Sequence, residues 1–290
     1  MTDDAFVAHR SLLFTVAYEM LGSAADAEDV VQETWLRWAA VDRSQVREAR
    51  PYLVRAVTRQ ALNRLRTVSR RREDYVGEWL PEPLLTSPDV ADDVQLAESV
   101  SIAMLTVLET LGPTERAVFV LREVFDTPYD EIADAVGKSP ATVRQIARRA
   151  RGHVAARRPR AEVDRAEQEQ VVRRFMDAVV TGDLQGLMDV LAPDVVAVAD
   201  GGGLVRGASR RPVVGADRLA SALVRGVGSR AGVTAAPAWI NGGPGVLVEV
   251  DGTLVVAVGL TVSDGRITRL FGIANPEKLA RLDAEAHLAR

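Results

Sequence analysis

The apolar pattern of this 290-residue chain changes character once, near residue 164, and that change restricts its fold more than any other feature. Before it, the sequence is rich in Leu, Ala, Arg and Glu and is broken at Gly22, Pro51, residues 81–88, Pro113, Pro128, Pro140 and Pro159. Such a composition with such breaks predicts helices. After it, helices are expected over 165–180 and 184–191, followed by valine-rich runs at 246–250, 254–262 and 267–273. Asp251-Gly252 and Asp264-Gly265 join these runs, and an Asp-Gly pair in that setting predicts a type I′ hairpin because both central residues accept positive φ. A helical half followed by an α+β domain is therefore expected, with length enough for about two cores at roughly 150 residues each.

The absence of cysteine excludes disulfide frameworks, zinc fingers, iron–sulfur sites and thiol nucleophiles. The longest uncharged stretch, 231–248, contains Pro237, Asn241, Pro244 and four glycines, which rules out a membrane-spanning helix there. Asp3 and Asp4 break any basic-then-apolar signal pattern at the N-terminus, so a cytoplasmic location without membrane association is expected.

Charge is segregated, although 36 basic residues against 40 acidic ones leave a net charge of only −4. Residues 50–72 hold eight arginines and no acid, and 138–160 hold eight basic residues and again no acid. Two patches are thereby offered to phosphate. Residues 11–36 do the opposite: Glu19, Asp26, Glu28, Asp29 and Glu33 stand there without one basic residue, which suits a basic protein partner and repels DNA.

A helix is predicted over 51–68, with Pro51 in the first turn, where its missing N–H would be unbonded anyway. Helical spacing puts Arg55, Arg59, Asn63, Arg66 and Arg70 on one face, with Arg71 next in sequence, and Leu53, Val57, Ala61, Leu65 and Val68 on the other. One face packs and the other meets DNA, with Tyr52, Tyr75 and Trp79 nearby as stacking platforms for unpaired bases. Further on, Tyr129 to Ala133 begins a short helix, Val136-Gly137-Lys138 turns, and Ser139 caps a second helix that starts at Pro140. That is the grammar of a helix-turn-helix. Val143, Ile146, Ala147, Ala150 and Val154 form its inner stripe, while Lys138, Ser139, Thr142, Arg144, Gln145, Arg148 and Arg149 face out toward a major groove. Gly137-Lys138-Ser139 does not close a nucleotide-binding P-loop, which would need glycine where Ile132 stands.

Residues 69–95 join the two helical parts and are rich in Pro, Glu and Asp, with Trp79, Leu80, Pro81, Glu82 and Pro83 at their centre. A tryptophan between prolines is costly to leave in water, so this motif is expected to dock.

Together these pieces resemble the extracytoplasmic-function class of bacterial RNA polymerase sigma factors. The stretch from Asp26 to Leu36 is similar to that family's polymerase-contacting helix, which implies that Asp26, Asp29, Gln32, Glu33 and Leu36 meet a basic coiled coil of the largest polymerase subunit. Residues 51–72 correspond to the segment that captures and melts the minus 10 element. Leu111-Gly112-Pro113-Thr114-Glu115-Arg116 with the helix-turn-helix resembles the domain that reads the minus 35 element. The 79–83 motif, the Asp200-Gly201-Gly202-Gly203 turn and Asn275-Pro276-Glu277-Lys278-Leu279 look like three signatures of a subgroup with a fused SnoaL-like domain of the NTF2-like fold.

The resemblance implies two all-α sigma domains, the second with the helix-turn-helix, followed by an α+β NTF2-like cone domain. The expected boundaries are 1–72, a linker over 73–97, 98–160 and 164–290. It implies a transcription initiation factor that binds core RNA polymerase and promoter DNA as a monomer, regulated in cis by contacts among the three signatures. A stand-alone helix-turn-helix regulator with a ligand-sensing NTF2-like domain is the alternative.

Relatives of such a domain include cyclases, and the similar ketosteroid isomerase site pairs an aspartate base with an oxyanion hole of tyrosine and a neutral carboxylic acid. Residues 164–290 contain no tyrosine, and their one histidine is His287 in the tail. Asp194, Asp200 and Asp217 then have no evident donor partner, and each reads as a turn or cap residue beside Pro or Gly. No catalytic residue, cofactor or metal is expected, while a small-molecule ligand of the cone stays open.

Overall fold

The computed structural model describes residues 4–157, 165–205, 208–228, 232–282 and 284–290. Its helices are α1 (Asp4–Leu21), α2 (Ala24–Ala39), α3 (Ala49–Glu73), α4 (Pro88–Asp92), α5 (Val94–Val100), α6 (Ile102–Leu108), α7 (Pro113–Phe119), α8 (Tyr129–Val136), α9 (Pro140–Ala155), α10 (Arg165–Thr181), α11 (Leu184–Val190), α12 (Ala216–Gly228) and α13 (Pro276–Leu279). The strands are β1 (Leu191–Asp200), β2 (Val213–Val214), β3 (Val233–Ile240), β4 (Gly243–Val250), β5 (Thr253–Ser263) and β6 (Arg266–Ile273). The described residues form two compact units: a helical one from 4–74, 104–157 and 287–290, and a sheet one from 75–103 and 165–286.

In the helical unit, α1, α2 and α3 pack on one another around Leu13, Val16, Tyr18 and Leu21 of α1 and Leu53, Val57, Ala61 and Leu65 of α3, all buried. The apolar stripe expected of α3 is thus the one that packs, and the helix continues beyond 68 to Glu73. Helix α7 opens at Pro113, and α8 closes on Gly137 at φ 68°, a left-handed conformation that glycine adopts without a Cβ penalty. Ser139 Oγ then accepts the Thr142 N–H at 3.2 Å and opens α9. Val143, Ile146, Ala147, Ala150 and Val154 are all buried along α9. Helix α3 packs against both α7 and α8, and α1 against α7, so the two helical segments share one unit.

The sheet runs β2-β1-β6-β5-β4-β3 and is antiparallel except for the β1–β6 pair. Both Asp-Gly turns are where the sequence puts them: Asp251 and Gly252 have φ 50° and 76°, Asp264 and Gly265 φ 50° and 67°. A third turn of the same kind, Asn241-Gly242 at φ 54° and 70°, joins β3 to β4. Helices α10, α11 and α12 supply Phe175, Leu187 and Leu219 to a core shared with Val246, Leu260, Ile267 and Leu270. A second cluster gathers Leu80, Ile102, Ile240, Ala257, Phe271, Ile273 and Leu279. Leu270 and Phe271 are neighbours on β6, so the two clusters lie on opposite faces of the sheet. The helices cover one face, and residues from 80–102 help cover the other.

Candidate functional site

The polymerase-facing residues expected on α2 divide into two groups. Arg64 of α3 donates from Nε to Asp26 Oδ1 at 2.7 Å and from Nη2 to Asp29 Oδ2 at 2.9 Å. The hydrogen bond to Asp26 raises the Arg64 pKa above its usual value. Gln60 Nε2 donates to Glu33 Oε2 at 2.9 Å. Three of the expected acids therefore also brace α2 against α3, a role that composition did not signal. Gln32 and Leu36 are exposed, and Trp35 beside them is exposed as well.

On α3, Asn63 and Arg66 are exposed, and Arg55 is half-buried with its guanidinium over the Tyr52 ring, 5.5 Å from the centroid. Arg59 is exposed and donates from Nη2 to the Asp134 carbonyl of α8 at 2.7 Å. The side chains of Arg70 and Arg71 lie outside the described residues. On the helix-turn-helix, Lys138, Thr142, Arg144, Gln145, Arg148 and Arg149 are all exposed, whereas Ser139 and Thr142 cap one another through Oγ and Oγ1 at 2.8 Å. Arg151, in the same basic run, is held by both oxygens of Glu123 at 3.1 and 2.7 Å, which raises its pKa. Four arginine or lysine side chains of the recognition segment thus face solvent with α9 fixed beneath them.

The third group converges on Asp200, at the end of β1 and fully buried. Its Oδ1 accepts from the Tyr75 hydroxyl at 2.5 Å and the Gly202 N–H at 3.0 Å, and its Oδ2 from the Leu80 N–H at 2.9 Å and the Lys278 ammonium at 2.7 Å. Lys278 Nζ also donates to the Leu80 carbonyl and lies 4.2 Å from the centroid of the Trp79 ring and 5.1 Å from that of Tyr75. Asn275 caps α13 through Oδ1 to the Glu277 N–H at 3.0 Å and donates from Nδ2 to the Tyr75 hydroxyl at 2.8 Å. Burial, with the hydrogen bond to Asp200 behind it, pushes the Tyr75 pKa far above its ordinary value.

The glycines after Asp200 make this approach possible. Gly202 and Gly203 have φ 60° and 74°, and a Cβ on Gly202 would lie 2.5 Å from Asn275 Nδ2, one on Gly203 2.9 Å from Val76 Cβ. Gly201 would meet Ala208 Cβ at 2.7 Å. Pro81 and Pro83 are buried, Glu82 is half-buried, and Pro276 and Glu277 form the first turn of α13, whose Leu279 is buried in the second cluster. The structure therefore brings the 79–83 motif, the glycine turn and the 275–279 motif together.

Asp200 does not lack a donor partner; it has four, and the tyrosine missing from 164–290 is supplied by Tyr75 from the linker. A second anchor was not anticipated at all. Buried Asn241 accepts the Leu84 N–H at 2.9 Å, donates from Nδ2 to the Val100 carbonyl at 2.8 Å and gives its own N–H to the Leu84 carbonyl at 2.9 Å. The Asn-Gly pair itself was the available signal. Leu85 then bridges Ile240 on one side and Glu285 on the other, and the Ala286 N–H reaches the Leu85 carbonyl at 2.8 Å. Among the described residues no cluster of His, Asp or Glu could hold a metal, and no helix is long and apolar enough to cross a membrane.

Comparison with known proteins identifies the family of the chain. The Sigma-70 region 2 family model matches residues 5–71 and the Sigma-70 region 4 model residues 101–154. The chain is 39% identical over 288 residues to the ECF RNA polymerase sigma factor SigJ of Mycobacterium tuberculosis, covering 94% of this chain and 91% of that one. It is 36% identical over 285 residues to the probable ECF sigma factor SigI of the same species, covering 97% and 96%. The crystal structure of M. tuberculosis SigJ superposes with a TM-score of 0.77 at 34% identity, over 97% of this chain and 99% of that one.

Proposed function

This chain belongs to the extracytoplasmic-function RNA polymerase sigma factors, and from that premise we propose which of its residues do the work and how the last domain governs them. As a sigma factor it binds core RNA polymerase and directs it to promoters. Helix α2 meets the polymerase through Asp29, Gln32, Glu33 and Leu36, with Asp26 fixing the helix through Arg64. Helix α9 enters the minus 35 major groove, where Thr142, Arg144 and Gln145 reach base edges and Lys138, Arg148 and Arg149 reach phosphates. The arginine face of α3 holds the minus 10 region while unpaired bases stack or flip.

The sheet unit acts in cis by holding the linker. The observation that carries this reading is the coordination of the Leu80 peptide by the C-terminal residues: its N–H on Asp200, its carbonyl on Lys278. While that peptide is held, the segment joining the two DNA-reading parts cannot extend at the roughly 3.3 Å per residue of free chain. The latch therefore restrains the linker, and its release gives the two helical segments the slack to part.

Catalysis is not part of this reading. A carboxylate offers about four lone-pair sites, and Asp200 spends all of them on Tyr75, Gly202, Leu80 and Lys278, leaving none to take a proton from a substrate. The test is co-purification of the full chain with core polymerase, followed by run-off transcription on genomic fragments. Retention on core enzyme and a discrete transcript support the reading; DNA retardation without polymerase and no transcript overturn it in favour of an ordinary helix-turn-helix regulator.

A further inference from the structure

Asparagine is scarce in this chain: Asn63, Asn241 and Asn275 are all that it contains. Asn275 precedes Pro276, whose nitrogen has no hydrogen to lose, and Asn63 precedes Arg64 inside α3. Asn241 alone precedes a glycine. In an Asn-Gly pair no Cβ hinders the next backbone nitrogen on its way to the side-chain carbon, so this is the sequence in which an asparagine most readily cyclises and loses its amide.

The fold holds both reacting groups apart. Asn241 is fully buried. Its Oδ1 accepts the Leu84 N–H and its Nδ2 donates to the Val100 carbonyl, so the carboxamide is pinned at both ends. The attacking nitrogen is occupied too, because the Gly242 N–H donates to Thr86 Oγ1 at 3.0 Å. Ala97 of α5 closes over the turn: a Cβ on Gly242 would lie 2.7 Å from Ala97 Cα. Leu84, Thr86, Ala97 and Val100 all belong to segment 84–100 of the sheet unit, so the docked linker is what protects the turn.

We propose that Asn241-Gly242 is a self-modification site that records release of the linker: while segment 84–100 is docked the amide survives, and once the segment leaves the amide is lost for good. In the undocked turn, hydroxide takes the Gly242 N–H proton, the nitrogen attacks Cγ of Asn241 and the Cγ–Nδ2 bond breaks. Nδ2 leaves as ammonia with a proton from water, which regenerates hydroxide. Water then adds across one of the two imide C–N bonds to Asn241, leaving aspartate or isoaspartate. The docked position requires an amide, which accepts from Leu84 and donates to Val100 at once. A carboxylate would set a buried negative charge against the Val100 carbonyl, and isoaspartate would also add a carbon to the turn backbone. The modified chain therefore cannot re-dock its linker. The protection stands on the geometry of the turn; that Lys278 controls the release rests on the reading given above.

The test ages the full chain in mildly alkaline buffer and follows residues 241–242 by peptide mass spectrometry, with isoaspartate confirmed by enzymatic methylation. The urea-unfolded parent sets the unprotected rate, and Asn63 in the same digest reports background loss. Where opening is fast, the rate relative to the unfolded chain measures the open fraction. The folded parent should lose the amide about tenfold or more slowly than the unfolded chain, and Lys278→Met should lose it about tenfold faster than the folded parent, in proportion to its open fraction. Thr86→Val, which removes the hold on Gly242 and leaves the Asp200 cluster intact, should also accelerate the loss and serves should Lys278→Met fail to fold. Asn241→Asp should speed hydrogen exchange at the Leu84 amide. Loss in the folded parent at the unfolded rate overturns the proposal, as does a parent-like rate in both Lys278→Met and Thr86→Val. Acceleration in Thr86→Val alone keeps the protected site and overturns instead the reading that Lys278 holds the linker. A Leu84 amide as protected in Asn241→Asp as in the parent overturns the claim that the change is one-way.

Discussion

Lys278 Nζ and Asp200 Oδ2 form an ion pair of 2.7 Å inside the sheet unit, with side chains 8% and 0% exposed. Removing one member of such a pair leaves an uncompensated buried charge, which typically costs about 3–5 kcal/mol. Lys278→Met is expected near the lower end, because Tyr75, Leu80 and Gly202 still donate to Asp200. Urea denaturation followed by a sheet-unit probe measures this. The double variant Asp200→Asn with Lys278→Met should be more stable than Lys278→Met alone, since it buries no charge; simple addition of the two losses would contradict the pairing.

Glycines at two left-handed positions should separate conformational cost from steric cost. Gly137→Ala meets nothing within 4 Å, so its expected loss is the strain of φ 68° alone, about 1–2 kcal/mol in the helical unit. Gly202→Ala adds a clash with Asn275 Nδ2 at 2.5 Å and should also free the linker. Hydrogen exchange at the Leu80 amide distinguishes them: faster in Gly202→Ala, unchanged in Gly137→Ala.

Alkaline stability carries the signature of Tyr75. Its pKa is raised in the folded chain, so the stabilisation is complete below the unfolded value of about 10 and is lost as pH rises from there toward the folded value. Melting temperature should fall above about pH 10 in the parent, and Tyr75→Phe, though less stable at neutral pH, should show a shallower alkaline decline. Equal slopes for the two chains would mean that the hydroxyl is not the group responsible.

Much of this was legible because it is local. Gly137, Ser139 and Pro140 spell a turn, a cap and a first helical residue within four positions, and the Asp-Gly pairs fix two hairpins by their own φ preferences. Strand β1 escaped because it pairs in parallel with β6, about 75 residues later, and its side chains follow no clean alternation. The latch was foreseen as three motifs that meet, but not as a coordination of one carboxylate, since Tyr75, Leu80, Asp200 and Lys278 come together only through the sheet. The sequence shows the acids of α2 only as a surface for a basic protein partner, because nothing in residues 11–36 announces that Arg64 of a later helix will cross to Asp26 and Asp29.

The exposed arginines of α9 should act on DNA without acting on the fold. Arg148→Ala and Arg149→Ala are each expected to weaken promoter binding of the polymerase complex across sequences and to lower the salt slope by about one counterion, with melting temperature unchanged. Arg144→Ala should instead relax base preference at one minus 35 position. Ser139→Ala differs from all three, costing about 1 kcal/mol of stability through the lost N-cap. Parallel salt titrations and melting curves separate these effects.

The most direct test of the whole account is run-off transcription with core polymerase, comparing the parent chain with Lys278→Met at equal folded concentration. A promoter-specific transcript from both, more abundant from Lys278→Met, is the result predicted by the proposal that holding the Leu80 peptide restrains the linker. No transcript from either chain, or one that falls with Lys278→Met while core binding is intact, would contradict it.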